Sequence, residues 1–166
     1  IKDEVGPMEM PDCGGAAGTR KLPDGQEETL RDLLAFLQEN GKEALFLVSP
    51  YGEGLEEQQM YNYMEEIVTS YGYRFLNMNN YYEEIGISFT DDFADYGSHT
   101  NVAGAVKCTD FLEAYLQEHY SFTDKRGDET YRSWDEAYTL WQEKSEEAQA
   151  LIQDRIARGE YAPVEE

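Results

Sequence analysis

Apolar side chains recur at helical spacing in four stretches of the chain, and each stretch predicts a helix. The first begins near Glu27 and stops at Asn40, the second covers 55–71, and the third runs over 102–119 with Asn101 as its N-cap. The fourth covers 129–157 as one long C-terminal helix. We expect the aromatic N-terminal half of its seam to dock on the rest of the chain, the seam residues being Tyr131, Trp134, Tyr138, Trp141, Ser145, Ala148 and Ile152.

Two short apolar runs, at 44–48 and 73–78, lie between these helices and show no alternation of polar and apolar residues. Such a run is typical of a strand that is buried on both faces of a parallel sheet. The order helix, strand, helix, strand then indicates an α/β fold in which helices cover the sheet. The first 25 residues hold three of the five prolines and a Gly-Gly-Ala-Ala-Gly stretch, and they predict an extended lead-in.

The composition of the chain argues against several classes of binding partner. The 166 residues carry a net charge of −22, which repels phosphate backbones and anionic lipids, so we expect no nucleic-acid partner. No apolar run approaches the roughly 18 residues of a membrane-spanning helix, so we expect no membrane insertion by this chain. Two cysteines make no disulfide framework, and neither they nor the two histidines show metal-ligand spacing. We therefore expect no metal and no cofactor.

Residues 91–105 carry the side chains that are most suggestive of catalysis. Asp95 and His99 precede the third predicted helix, with Gly97 between them to give the loop backbone freedom. A carboxylate that accepts the imidazole Nδ1–H fixes the tautomer and stabilises the imidazolium that forms when Nε2 takes a proton. On spacing alone His99 also fits a histidine that merely hydrogen-bonds near a helix start, and Asp92 is an alternative carboxylate partner for it.

This segment resembles the last conserved block of SGNH (GDSL-like) hydrolases, in a bacterial branch of that family. There an Asp and a His precede a helix that begins His-x-Asn-x-x-Gly-Ala, and residues 99–105 read His-Thr-Asn-Val-Ala-Gly-Ala. The resemblance covers residues 28–140, the C-terminal portion of the family's domain. It implies a three-layer flavodoxin-like parallel sheet, incomplete at its N-terminal side, with a long C-terminal helix added. It also implies that His99 deprotonates a serine and that Asp95 orients His99.

Two features depart from the family pattern. Asp95 and His99 are separated by three residues, where the family commonly has two. The family's Gly-Asp-Ser-like nucleophile block and its Gly and Asn oxyanion donors are not recognisable. Two functions therefore stay open. One is a serine ester hydrolase or acyltransferase that needs a nucleophile segment missing from this chain, and the other is a non-catalytic binding or interaction module on a degenerate hydrolase scaffold.

These inferences predict three segments: an extended lead-in at 1–25, a partial SGNH-like α/β domain at 26–128, and a C-terminal helix and tail at 129–166. The expected substrate is a small-molecule or glycan ester. The expected protein partner is a missing N-terminal half or a second copy of the chain. The location stays open, and a secreted or cell-surface bacterial protein fits the acidic composition and the resemblance.

Overall fold

The computed structural model describes residues 1–163, which form five α-helices and two strands. In chain order these are α1 (Gln26–Glu39), β1 (Leu45–Val48), α2 (Leu55–Ser70), β2 (Arg74–Asn77), α3 (Tyr82–Ile85), α4 (Val102–His119) and α5 (Arg132–Arg158). Short 3₁₀ turns at Met78–Tyr81 and Glu129–Tyr131 precede α3 and α5. The predicted long helices and both strands are confirmed, and their ends differ from the predicted ones by at most three residues.

Packing divides the described residues into two compact units. We call residues 1–10 with 83–163 the terminal unit and residues 11–82 the central unit. The predicted segments 1–25, 26–128 and 129–166 are drawn from composition and stay a prediction, whereas the units follow which residues pack together. Packing assigns the first ten residues of the lead-in to the terminal unit and the rest of the lead-in to the central unit.

The central unit contains a two-stranded parallel sheet in which Leu45 of β1 lies opposite Arg74 of β2. The helix α2 connects the two strands, as a parallel crossover requires. Phe46 and Val48 of β1 pack against the buried core, whereas Leu47 between them is exposed. The chain is therefore a mixed α/β protein, as predicted. One buried hydrophobic cluster of this unit consists of Leu30, Leu34, Ile67, Val68 and Phe75.

The terminal unit is built from both ends of the chain. Val5 of the lead-in is fully buried and packs with Val102, Ala148 and Ile152, which come from α4 and α5. The lead-in reaches this core because residues 2–8 run alongside residues 89–102 in an extended conformation. Three backbone hydrogen bonds of 2.8–2.9 Å fix this alignment: Gly6 N–H to Phe93 O, Met8 N–H to Phe89 O, and Val102 N–H to Lys2 O.

The helix α5 docks with its C-terminal half, so the prediction that its aromatic half docks is wrong. Ser145, Ala148 and Ile152 are buried, whereas Trp134 is 76% exposed and Tyr138 is also exposed. The C-terminal half docks because Ala148 and Ile152 pack with the buried Val5 and Val102. The helix therefore presents the predicted seam, but other residues of the chain cover only its C-terminal half.

Candidate functional site

A closed loop at residues 93–100 of the terminal unit holds the two predicted site residues. Phe93 and Thr100 form an antiparallel bridge at its base. One step further in, the Ala94 N–H donates to the His99 carbonyl at 2.9 Å. The two arms of the loop thus run side by side. Asp95 lies on one arm and His99 on the other.

The chain reverses direction within this loop at two residues in left-handed conformation. Tyr96 has a φ of 55° and Gly97 a φ of 94°. The left-handed conformation favours glycine at residue 97, and a Cβ there would also displace the Met8 side chain. This reversal accommodates the third residue between Asp95 and His99, and the longer spacing does not separate the pair.

Asp95 and His99 are joined by two hydrogen bonds. Asp95 Oδ2 lies 2.6 Å from His99 Nδ1, and Asp95 Oδ1 accepts the backbone N–H of His99 at 2.6 Å. The same carboxylate therefore orients the imidazole ring and fixes the backbone that carries it. Because an ionised carboxylate only accepts hydrogen bonds, the Nδ1 position carries the proton and Nε2 is left as the basic nitrogen.

Lys2 is a third member of the site, and it comes from the lead-in. Its ammonium donates to Asp95 Oδ2 at 3.1 Å, the oxygen that also faces His99 Nδ1. Partial burial opposes ionisation of Asp95, but the hydrogen bonds from His99 and Lys2 together outweigh it and hold the pKa of this carboxyl below 3.8. The sequence offers no signal for Lys2, because no spacing pattern links residue 2 to residue 95.

Asp92, the alternative carboxylate, is occupied elsewhere. It is buried, and its Oδ2 accepts the Ser88 N–H at 2.6 Å and the Lys107 ammonium at 2.6 Å. It therefore anchors the segment that leads into the loop, and the carboxylate that contacts His99 is Asp95.

Asn101 fixes the start of α4 two residues after His99. Its Oδ1 accepts the N–H groups of Ala103 and Gly104 at 3.0 and 3.2 Å, which confirms the predicted N-cap. Its Nδ2 donates to the carbonyls of Asp91 at 2.7 Å and Glu4 at 3.2 Å. One fully buried amide thus ties the helix start both to the base of the loop and to the lead-in.

The pair lies in an open cleft of about 620 Å³, whose lining includes Lys2, Glu4, Asp95, Tyr96, Ser98 and His99. The His99 side chain is 67% exposed, and no residue within 1–163 forms a hydrogen bond with its Nε2. Ser98 also lines the cleft, yet no hydrogen bond joins its hydroxyl to His99. The arrangement can therefore accept and return a proton at Nε2, but it does not position a nucleophile of its own.

A second titratable group, Glu53, is buried in the central unit. It lies in the loop between β1 and α2 and is only 4% exposed. Neither carboxylate oxygen has a hydrogen-bond partner among the described residues. Burial, with repulsion from Glu57 added, raises the pKa of Glu53 to about 7. The Cys13 thiol donates to the backbone carbonyl of Glu53 at 3.2 Å. Sequence analysis missed this residue, since a glutamate between two glycines is typical of an exposed turn.

Within residues 1–163, no group of three or more His, Cys, Asp or Glu side chains is arranged to hold a metal ion. None of the helices in that range is long and apolar enough to cross a lipid bilayer.

Replacing Asp95 with asparagine should change the tautomer of His99. The Asn Nδ2 group can donate to Nδ1, which then becomes an acceptor, so we expect the proton to move to Nε2. Long-range ¹H–¹⁵N spectra at pH 8 distinguish the two forms. Signals of the two histidines are assigned with a His119→Gln variant. An unchanged Nδ1–H signal in Asp95→Asn would contradict the assigned pairing.

Comparison with known proteins gives no relative. The sequence matches no protein-family model, and neither a characterised protein nor a solved structure is significantly similar to it. The function therefore has to be inferred from the Asp95–His99 pair and the residues around it.

Proposed function

We propose that this chain is the C-terminal portion of an SGNH-like serine ester hydrolase or acyltransferase. In this proposal His99 is the general base and Asp95 is the residue that orients it. The observation that supports it is the 2.6 Å contact between Asp95 Oδ2 and His99 Nδ1, in a cleft where His99 Nε2 is accessible. The sequence agrees with this proposal, because the segment that leads into α4 reads His-x-Asn-x-x-Gly-Ala, with Asn101 as the N-cap of the helix.

The proposed reaction needs a serine from outside these 166 residues. The serine oxygen attacks the ester carbonyl while His99 Nε2 takes the hydroxyl proton, and the Asp95 carboxylate stabilises the resulting imidazolium. The imidazolium then protonates the leaving alcohol, which leaves an acyl group on the serine. A water or an acceptor hydroxyl, deprotonated in turn by His99, releases that acyl group and regenerates the serine. Small-molecule esters and acylated glycans are the substrate class.

The same proposal implies a larger sheet. The β1–α2–β2 segment is one parallel crossover, which is the building block of a three-layer flavodoxin-like fold. Within residues 1–163, β1 pairs with β2 and with no other strand, and Leu47 of β1 is exposed. A three-layer fold adds strands beside β1 and helices over the face that carries Leu47, and those helices would bury that residue.

The test compares this chain with a polypeptide extended by the coding sequence upstream of Ile1. We expect the extended protein to hydrolyse p-nitrophenyl acetate and to form a fluorophosphonate adduct on one serine. His99→Ala should lower kcat/KM by about 10²–10⁴-fold, the usual contribution of a general base. His119→Ala, at the far end of α4, is the matched control and should leave kcat/KM unchanged. Full esterase activity in the His99→Ala protein would rule the proposal out.

A non-catalytic binding module is the second candidate. It is favoured by the lack of a serine positioned against His99 among the described residues. This alternative predicts that the extended protein forms no fluorophosphonate adduct, although it folds and keeps the His99 tautomer. The adduct measurement therefore separates the two candidates.

A further inference from the structure

The N-terminal half of α5 presents a large aromatic surface to solvent. Trp134, Tyr138 and Trp141 are all exposed, and they follow one face of the helix over two turns. The rings of Tyr138 and Trp141 stack on each other with centroids 6.2 Å apart. Solvated helices normally place polar side chains at such positions, so this face is unusual for a surface that remains in water.

An apolar groove lies in the same unit, between α4 and residues 122–126. It has a volume of about 460 Å³, and Leu112, Leu116 and Phe122 contribute its apolar lining. Phe122 is exposed, and the segment that forms this wall of the groove reaches α5, because the Gly127 N–H donates to Asp135 Oδ2 at 3.0 Å. The groove and the aromatic helix face are therefore neighbouring parts of one surface, which we call the aromatic surface.

The size of the aromatic surface approaches what a stable contact needs. A fully buried aromatic side chain contributes about 150–250 Å², so its four exposed aromatic residues offer roughly 500 Å² per copy before the polar rim is counted. A standard protein interface buries about 800 Å² on each partner. The four residues are Phe122, Trp134, Tyr138 and Trp141.

The charges around this surface indicate which partner fits. Residues 122–144 hold four of the 13 basic side chains and six of the 35 acidic side chains of the protein, so the two signs are closer to balance there than in the chain as a whole. Arg126 and Arg132 form ion pairs with nearby acidic residues, and Lys125 lies over the Tyr131 ring. This is consequently a face on which two acidic copies repel each other less than elsewhere and on which basic and acidic side chains of the two copies can pair.

We infer that the aromatic surface is the interface of a homodimer, in which the N-terminal halves of two α5 helices pack against each other and against the α4 grooves about a two-fold axis. A two-fold interface uses the same patch on both copies, so a helix face and an adjoining groove on one surface can complement themselves. The occupant is a second copy of this chain.

The experiment is sedimentation equilibrium of the full chain, combined with tryptophan fluorescence. Both tryptophans of the protein lie in the aromatic surface, so their emission reports on this interface alone. We expect a mass of twice 19.1 kDa at high concentration, with a Kd on the order of 10 µM, and a red shift of the emission on dilution. Salt should strengthen association, because it screens the repulsion between acidic copies.

Two matched variants distinguish this interface from nonspecific self-association. Trp134→Glu should weaken dimerisation at least tenfold without affecting the fold, since the side chain is almost fully exposed, and Trp141 remains as the fluorescent reporter. Leu151→Glu, at another exposed position of α5, should dimerise like the wild type. A wild-type chain that stays monomeric well above the expected Kd would overturn the inference, as would a dimer unaffected by Trp134→Glu. Either result would mean that the aromatic surface binds a partner other than a second copy of this chain.

Discussion

Glu53→Gln should raise the free energy of unfolding at pH 8 by roughly 3 kcal/mol, at ~1.36 kcal/mol for each unit of pKa difference. The folded-state pKa of Glu53 is about 7, against 4.5 for the ordinary side chain. Below pH 4.5 the carboxyl is protonated in both states and contributes nothing. Between pH 4.5 and 7 the unfolded chain loses the proton first, so stability falls as the pH rises. Above about pH 7 the loss is complete, because a charge is then buried without a partner.

Urea unfolding followed by far-UV circular dichroism at pH 5 and pH 8 measures this effect. The wild type should lose stability between the two values, and Glu53→Gln should lose much less. Glu66→Gln, an exposed position of α2, removes the same charge from the same unit and should behave like the wild type. Equal pH dependence in the wild type and Glu53→Gln would show that the carboxyl finds a partner or water in solution.

Asn101→Ala should lower the free energy of unfolding by about 3 kcal/mol. Loss of an N-cap costs about 1 kcal/mol, and each of the two part-buried hydrogen bonds that Nδ2 donates contributes about 1 kcal/mol. The structure gives Asn101 both roles, because its Oδ1 caps α4 and its Nδ2 donates to the carbonyls of Asp91 and Glu4. Thermal and urea unfolding of the full chain give the magnitude.

Asn101→Asp separates the two roles of this side chain. An aspartate keeps the acceptor for the N-cap but replaces the donor by a charged oxygen that faces two carbonyls. We therefore expect Asn101→Asp to be at least as destabilising as Asn101→Ala, although aspartate is ordinarily as good a cap as asparagine. If Asn101→Asp were close to the wild type, capping alone would explain the residue.

Local patterns predicted much of the secondary structure, because periodicity and capping depend on residues close in sequence. The bounds of α4 and its Asn101 cap are examples. The contact between Asp95 and His99 could also be predicted, because the two residues lie four positions apart. Features that depend on distant residues could not be predicted. Lys2 reaches Asp95 only because the lead-in aligns with residues 89–102, and Glu53 is buried only by tertiary packing. The spacing in α5 likewise predicted a seam but not which half of it is covered.

The make-up of the terminal unit has a consequence for biosynthesis. Val5 packs with Ala148 and Ile152, which are translated more than 140 residues after it. The central unit is contiguous in sequence and can fold while translation continues, whereas the terminal unit has to wait for the end of α5. Contacts of such long range close slowly, so the exposed Val5 segment is the part of the nascent chain that most needs protection until synthesis is complete.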